Sequence, residues 1–224
     1  ATRVIMLSAY GTTEQMRVTF KDYQVVDFVP KHLFDNEVFL ENLRQIFLNE
    51  LHINLELAIH WQGSNPEQVV LNMEIAGTRI KRNAPLQQRM VQELDDLLCR
   101  LFYKAQSIIV QPLIPGLSGA RVLQVHPFFP GGGGRAVVVK FGNAEKIEGE
   151  HNNFKNYVQS FFGGRRTTIT EDVRRTPYLG GIVYSLVGAE NDHLENFGRF
   201  YRRATHTEIA RVIDELFLST CNTW

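Results

Sequence analysis

Three short apolar runs follow one another after residue 106, separated by little more than glycine and proline. They are SIIVQPLI, ARVLQVHPF and RAVVVKFG, and each has the length and the β-branched composition of a strand. Strands joined by such short connections pair antiparallel, because a parallel crossover needs a dozen or more residues. This part of the chain is therefore expected to form an antiparallel sheet.

Directly after the third run, the sequence has apolar residues at helical spacing. The apolar stripe is formed by Ile147, Phe154, Val158 and Phe161. Glu150 falls on this stripe, whereas Glu148 is rotated away from it. A carboxylate on a buried stripe is costly unless it is paired. Lys140, near the end of the third run, is the nearest cation, so we predict that its amine lies within salt-bridge reach of Glu150.

A glycine-containing connection, LIPGLSGA, joins the first two runs and includes Gly116, Ser118 and Gly119. Two interpretations are open for it: a turn that needs glycine for positive φ, or a loop that covers phosphate groups. It is not a Walker loop, because no lysine with a following hydroxyl residue comes after the second glycine. The downstream lysine and inward glutamate favour the phosphate loop. The glycine tract at 131–134 needs no ligand and is predicted to be a hairpin tip.

Taken together, GLSGARVLQV, VVVKFG, IEGEHNNFKNYV and GGIVYSLVGAE resemble the amino-terminal lobe of the protein-kinase-like superfamily. They are closest to its aminoglycoside- and choline-phosphotransferase-like branch. More narrowly, they are similar to the phosphotransferase-like domains of bacterial signalling and conflict proteins that are sometimes called ternary complex associated domains.

This resemblance implies a nucleotide site with ATP and Mg²⁺ as cofactors. Gly116, Ser118 and Gly119 would form the loop over the phosphates, Lys140 would contact the α- and β-phosphates, and Glu150 would hold Lys140. The hinge near adenine would lie at 188–190. A second lobe would begin after it, with Thr205 and Glu208 as a capping box.

The sequence departs from the kinase pattern in one important respect. It contains no H-x-D-x-x-x-x-N catalytic loop and no later metal-binding aspartate. No catalytic residue and no metal ligand are therefore assigned. The resemblance implies an ATP-dependent phosphotransferase in a longer protein, whereas this segment alone is expected to be inactive.

Residues 1–49 follow a different pattern, in which strand and helix alternate. IMLSA, a helix, VVDFVPK and a final helix starting at Asp35 predict a parallel α/β sheet. The pattern resembles the second half of a bacterial response-regulator receiver domain. By this resemblance Ser8 and Lys31 would contact a phosphoryl group, and Phe28 would be the aromatic switch. His32 stands where that family has proline, and the phosphate-accepting aspartate lies on strands that this segment lacks.

The segment 50–106 is predicted to be a connector with its own structure. HINLELAIHW (52–61) alternates strictly and predicts a half-buried strand. Residues 83–106 carry a long apolar stripe and predict an amphipathic helix. His52 and His60 have no companions at ligand spacing, so no metal site is expected.

Composition narrows the function classes. The 24 basic and 24 acidic residues balance, which argues against a nucleic-acid-binding role. Two cysteines are too few for a disulfide framework and suit a reducing compartment. No apolar run is long enough to span a membrane, and no signal peptide opens the chain. We expect a cytoplasmic protein without membrane partners, and both ends suggest a segment of a longer chain.

The expected fold is thus α/β plus α+β: a partial receiver-type parallel sheet at 1–49, a strand-helix connector at 50–106, and a kinase-like lobe at 107–224 with an antiparallel sheet and one inward helix. The expected function is part of a bacterial two-component phosphorelay response regulator with a nucleotide-binding phosphotransferase-like domain and protein partners in signalling. The alternative is a non-catalytic adaptor, or pseudokinase scaffold, that mediates protein interactions. The phosphate acceptor, the upstream sensor and the oligomeric state are left open.

Overall fold

The computed structural model describes residues 4–9, 12–23, 25–75, 77–113, 119–158, 168–169, 172–186 and 197–220 of the 224-residue chain. The chain divides into two compact units, residues 1–55 and residues 56–224. Within the described ranges, none of the helices has the length and apolar character needed to cross a lipid bilayer.

The first unit alternates strands and helices. Its elements are β1 (Val4–Ser8), α1 (Thr13–Tyr23), β2 (Val25–Pro30), a 3₁₀ turn (Lys31–Leu33) and α2 (Asn36–Asn49). β1 and β2 pair in parallel, and α1 supplies the crossover that a parallel pair requires. Asp35 caps α2, because its side chain accepts a hydrogen bond from the Val38 amide at 3.0 Å. The alternating pattern predicted for this part of the chain is therefore present.

The strand predicted over 52–61 is wrong in its first part. Only its last four residues form a strand, β3 (Ala58–Trp61). His52 has a positive φ of 54°, and the amide of Ile53 donates a hydrogen bond to a carbonyl of α2 at 2.9 Å, which turns the chain back on that helix. Leu55 is 57% exposed. The alternation of apolar and polar residues in the first part of this segment therefore belongs to a turn and not to a continuous strand.

The second unit contains the remaining elements. In chain order they are α3 (Pro66–Val70), β4 (Glu74–Ile75), β5 (Thr78–Arg79), α4 (Pro85–Leu101), β6 (Ser107–Pro112), β7 (Arg121–Phe129), β8 (Gly132–Gly133), β9 (Val137–Asn143), α5 (Ala144–Asn153), β10 (Arg174–Arg175), β11 (Leu179–Ser185), α6 (Phe197–Arg203) and α7 (His206–Asp214). π-helical turns continue α5 over Phe154–Val158 and α7 over Glu215–Thr220. Thr205 and Glu208 form the predicted capping box at the start of α7.

A seven-stranded sheet is the centre of this unit. Its order is β10-β11-β9-β7-β6-β3, with β8 paired to the end of β7 as a hairpin tip. The pairs among β6, β7, β9, β11 and β10 are antiparallel. For β6, β7 and β9 this confirms the expectation from their short connections. β3 adds to the edge in parallel with β6, so the sheet is mixed. The fold is therefore a mixed α/β architecture, as expected.

The two faces of this sheet differ. We define the α4 face as the face of the sheet that carries Leu123, Val125, Val139 and Phe141. The α5 face is the opposite face, which carries Val138, Lys140, Ile182 and Tyr184. Helix α4 covers the α4 face with its predicted apolar stripe, and Leu94, Leu97 and Leu98 are fully buried there. Helix α5 packs on the α5 face, where the buried cluster consists of Ala120, Ile147 and Ile182.

Two adjacent glycines in β11 let both helices approach the sheet closely. A Cβ on Gly181 would lie 2.9 Å from Leu101 Cδ1 of α4. A Cβ on Gly180 would lie 3.1 Å from both Ala144 Cα and Ile147 Cβ of α5. Because successive residues of a strand point to opposite faces, this pair of glycines seats one helix on each side of β11.

Candidate functional site

The central strand β9 places Lys140 on the α5 face. Its β-branched residues alternate between the two faces, and Val139 and Phe141 are buried against the α4 face. Lys140 therefore points to the other side, beside Ile182 of β11. Its side chain is 21% exposed, so its ammonium group is partly desolvated and calls for an anionic partner.

That partner comes from helix α5, which starts directly after β9. Asn143 caps the helix, since its side chain accepts a hydrogen bond from the Lys146 amide. Two turns later, the Glu150 carboxylate lies 2.5 Å from the Lys140 Nζ atom. The predicted ion pair is therefore present. Glu148 points away from it and pairs instead with Arg175 at 2.7 Å.

Tyr184 of β11 also reaches Glu150, and sequence reasoning missed this residue. Its hydroxyl donates a hydrogen bond to the Glu150 carboxylate, and burial, together with the charge of Glu150, raises the pKa of Tyr184 to about 12. The Phe154 ring meets the Tyr184 ring edge-on, with centroids 6.2 Å apart. The available signal was the alternation in GGIVYS, which puts this tyrosine on the same face as Ile182.

A pocket of about 270 Å³ opens beside the ion pair. Its lining consists of Met73, Glu74, Gly119, Ala120, Gly142, Asn143, Lys146, Ile147 and Glu150. The sequence indicated Gly119 and Glu150, but not the wall contributed by the β4–β5 hairpin. Lys146 contributes the cation of this lining. The pocket therefore combines a glycine backbone, a helix start and charged groups of both signs.

The glycine loop is described only at its end. Gly119 has a φ of 76°, a left-handed conformation that favours glycine. Gly116 and Ser118 lie outside the described residues, and so does the hinge predicted at 188–190. The structure therefore brings Gly119 to the pocket that Glu150 lines, and it tests neither interpretation of the loop as a whole.

Next to Lys140, the α5 face continues over β9 and β7 with side chains that are only partly buried. Val138 and Val122 lie on this face, on either side of the β7–β9 pairing, with Gln124 beside Val138. Val139 and Leu123, their neighbours on the opposite face, are fully buried. This part of the sheet thus offers an apolar surface bordered by amide and ammonium groups.

The residues assigned by resemblance to a receiver domain lie in the first unit. Ser8 ends β1 opposite Pro30 of β2, and Lys31 follows Pro30 directly, so both lie at the same edge of the parallel pair. Phe28 is paired with Met6 in the strand register. Its amide donates a hydrogen bond to the Asp27 side chain at 2.8 Å. The geometry brings Ser8 and Lys31 together, with Phe28 on the adjoining part of β2.

Metal-ligating side chains do not cluster in the part of the chain that the structure describes: nowhere in it do three or more histidine, cysteine, aspartate or glutamate residues converge. Cys99 lies on α4 among apolar and acidic neighbours, where burial, followed by the charges of Asp96 and Asp95, raises the pKa of its thiol to about 11. Such a thiol is a poor nucleophile and a poor metal ligand at neutral pH.

Comparison with known proteins gives one finding. The family model described as ternary complex associated domain 9 matches residues 105–224, which is more than half of the chain. This stretch contains the antiparallel strands, helix α5 and the ion pair, and it begins just before β6. Searches of curated proteins and of solved structures give no significant match.

Proposed function

The chain belongs to the ternary complex associated domain 9 family, and we propose that its second unit forms the nucleotide-binding part of a kinase-like, phosphotransferase-like domain. In this proposal ATP is the ligand, and the domain belongs to a bacterial cytoplasmic signalling protein. The first unit would be the receiver-like part of the same protein.

The ion pair between Lys140 and Glu150 is the observation that carries the proposal. A lysine on the third long strand, held by a glutamate on the helix that follows, is the arrangement that kinase-like lobes use to bind ATP phosphates. A partly exposed ion pair contributes only about 0 to 1 kcal/mol to stability, so folding alone gives little reason to place both charges on an inner face.

The surroundings suit the rest of a nucleotide. Gly119 and Lys146 line the pocket beside Glu150, where backbone amides and a cation can meet phosphate oxygens. Val122 and Val138 lie next to Lys140 on the same face and are only partly buried. An apolar strand surface of this kind can pack against a planar base, while the phosphates reach Lys140.

Mg²⁺ is implied by the resemblance, and no three candidate ligands converge among the described residues. We therefore assign no residue to Mg²⁺ and derive no step from it. Lys140 would act through charge and hydrogen bonding to the α- and β-phosphates.

Calorimetric titration of the chain with ATP in the presence of Mg²⁺ tests the proposal. Lys140→Met should weaken binding at least about tenfold, because a charge-assisted contact is lost. Lys81→Met, at an exposed lysine outside the pocket, should leave the affinity unchanged. Equal affinities of the wild type and Lys140→Met, or no binding by the wild type, would contradict the proposal.

For the first unit we propose a phosphorelay role at the shared edge that holds Ser8 and Lys31. What supports it is the parallel pairing that places these residues side by side at the carboxyl ends of two strands. In a longer chain that also carries the strands with the phosphate-accepting aspartate, beryllofluoride, a phosphoryl mimic, should shift the amide resonances of both residues in NMR spectra, and Lys31→Ala should remove the effect. Unchanged spectra in the wild type would count against this role.

A second candidate function is a non-catalytic adaptor, in which the same lobe is a scaffold for protein contacts. It is favoured by large apolar side chains exposed on α6 and on the turn after α7, with Phe197 at 53%, Tyr201 at 57%, Phe217 at 62% and Leu218 at 70% exposure. The ATP titration separates the candidates, since an adaptor of this kind binds no ATP in either the wild type or Lys140→Met.

A further inference from the structure

The Glu150 carboxylate has two partners on the α5 face, and only one of them is a cation. We infer that Tyr184 is a positioning residue that holds Glu150 in place for Lys140 and thereby sets the affinity of the site for nucleotide. This inference rests on the proposed function. It concerns a residue that neither the glycine loop nor the strand-helix ion pair includes.

The strand register brings the three side chains together. Lys140 of β9 lies beside Ile182 of β11, and Tyr184 lies one step further along the same face, beside Val138. Glu150 approaches from α5 above this face and contacts Lys140 at 2.5 Å. Its carboxylate also receives the Tyr184 hydroxyl hydrogen bond. The carboxylate is thus held from two adjacent strands at once.

A second contact ties the same tyrosine to the same helix. Phe154 lies one turn after Glu150 and packs edge-on against the Tyr184 ring, with centroids 6.2 Å apart. At Phe154 the α-helix gives way to the π-helical turn. Tyr184 therefore fixes α5 by its ring and its hydroxyl at the point where the regular helix ends.

The Tyr184 hydroxyl matters because Lys140 would interact with both the phosphates and Glu150. A lysine that turns towards phosphate oxygens shares its charge between the phosphates and Glu150, which loosens the ion pair. A carboxylate with one partner can then rotate, whereas one with a second hydrogen bond keeps its position. Because the phenol is neutral, it holds Glu150 without adding charge that would compete for the phosphates.

The test combines Tyr184→Phe, Glu150→Gln and the double variant in ATP titrations of the full chain. Tyr184→Phe keeps the ring contact with Phe154 and removes the hydroxyl alone, so the dissociation constant should rise about three- to tenfold. If Tyr184 acts through Glu150, adding Tyr184→Phe to Glu150→Gln should cause no further loss. Additive losses in the double variant would overturn the inference.

Tyr178→Phe is the matched control. Tyr178 precedes β11 by one residue, and its ring contacts the Arg89 guanidinium at 4.4 Å, away from Glu150. Its loss of a hydroxyl should leave the affinity for ATP unchanged. An equal loss in both tyrosine variants would point to general loosening of the lobe and would contradict a specific role for Tyr184.

A readout without nucleotide keeps this inference separate from the proposed function. In a sample with ¹³C-labelled tyrosine, the ring signal that Tyr184→Phe removes belongs to Tyr184. Its titration should move to lower pH in Glu150→Gln, within the range in which circular dichroism shows a folded protein. If wild type binds no ATP, the proposed function fails; if the titration does not move, the positioning role fails.

Discussion

The two faces of the central sheet carry the same strands but are built for different tasks. The α4 face buries a large cluster of leucine, isoleucine, valine and phenylalanine under a long helix. The α5 face has a small buried cluster and an adjoining ion pair, tyrosine and pocket. A face with a large apolar core allows the opposite face to hold an ion pair, because burial of charge costs stability that the α4 face can supply.

The largest expected effect is the loss of stability when a buried core residue is truncated, and it should differ between the two faces. Leu97→Ala removes a fully buried side chain from the large cluster and should lower the free energy of unfolding by about 3 to 4 kcal/mol, since a cavity remains. Ile147→Ala on the α5 face should cost about 2 kcal/mol, because Ile147 borders a pocket and its neighbours can relax. Urea denaturation measures both.

ATP affinity provides the contrast for these two variants. Leu97→Ala should bind ATP like the wild type at a temperature where it is folded, whereas Ile147→Ala should bind more weakly because Ile147 lines the pocket. If both variants lost affinity equally, the separation of the faces would be wrong.

The adjacent glycines of β11 sharpen the comparison at neighbouring positions. An alanine at Gly181 meets the flexible ends of Leu101 and Leu97, so its cost is offset by the lower entropy of the unfolded chain and should stay below about 1 kcal/mol. An alanine at Gly180 meets the backbone of Ala144 and the Cβ of Ile147, and should destabilise by about 1 to 3 kcal/mol.

The two glycine variants should also differ at the ion pair. Gly180→Ala moves α5 away from β11, so it should weaken the coupling between Lys140 and Glu150, which a double-mutant cycle measures. Gly181→Ala should leave that coupling unchanged. The opposite ranking would mean that α4, and not α5, is the helix more tightly seated on β11.

Polar contacts also occur on the α4 face, and those of Arg121 allow a comparison with Lys140 on the α5 face. Its guanidinium donates hydrogen bonds to the carbonyls of Val69 at 3.0 Å and Leu71 at 2.7 Å. Arg121→Met keeps an apolar stem and leaves both carbonyls without this partner, so it should cost about 1.5 kcal/mol. Lys140→Met, on the α5 face, should cost less than about 1 kcal/mol. Thermal denaturation of the pair tests this ranking, and equal losses would contradict it.

Local patterns in the sequence were sufficient to predict the ion pair between Lys140 and Glu150. The position of Lys140 followed from strand periodicity, and Glu150 from the helical stripe, since both depend on neighbours within a few residues. The caps at Asp35 and Thr205 are equally local and are present in the structure. Fold class, antiparallel pairing and one half of the site could therefore be predicted.

The rest of the site depends on contacts between residues far apart in the chain. Tyr184 reaches Glu150 only because β11 pairs with β9 in one register, and no local pattern fixes that register. Met73 and Glu74 line the pocket from a hairpin whose strands have two residues each, too short for a periodic signal. Likewise, the turn at His52 imitated a strand because alternation alone does not reveal the backbone conformation.

The smallest expected effect is a pH dependence of the free energy of unfolding, which should again differ between the two faces. His151 of α5 is buried, with 5% exposure. Burial, followed by the charge of Lys155, holds its pKa below the ordinary value of 6.5, while Asp172, 3.9 Å from its Nε2 atom, acts in the opposite direction. Above pH 6.5 the histidine is neutral in both the folded and the unfolded chain, so its protonation does not lower the free energy of unfolding. As the pH falls below 6.5, the unfolded chain takes up the proton more readily, so stability decreases until the pKa of the folded protein is passed.

His151→Gln should therefore lose less stability than the wild type between about pH 7 and about pH 5, as measured by urea denaturation at each pH. Asp172→Asn should lose more, because it removes the charge that favours protonation of His151. Substitutions on the α4 face, such as Leu97→Ala, should shift the stability at both pH values by the same amount. Identical pH dependence in the wild type and His151→Gln would show that the α5 face is no more sensitive to protons than the α4 face, and the comparison between them would then rest on the ion pair alone.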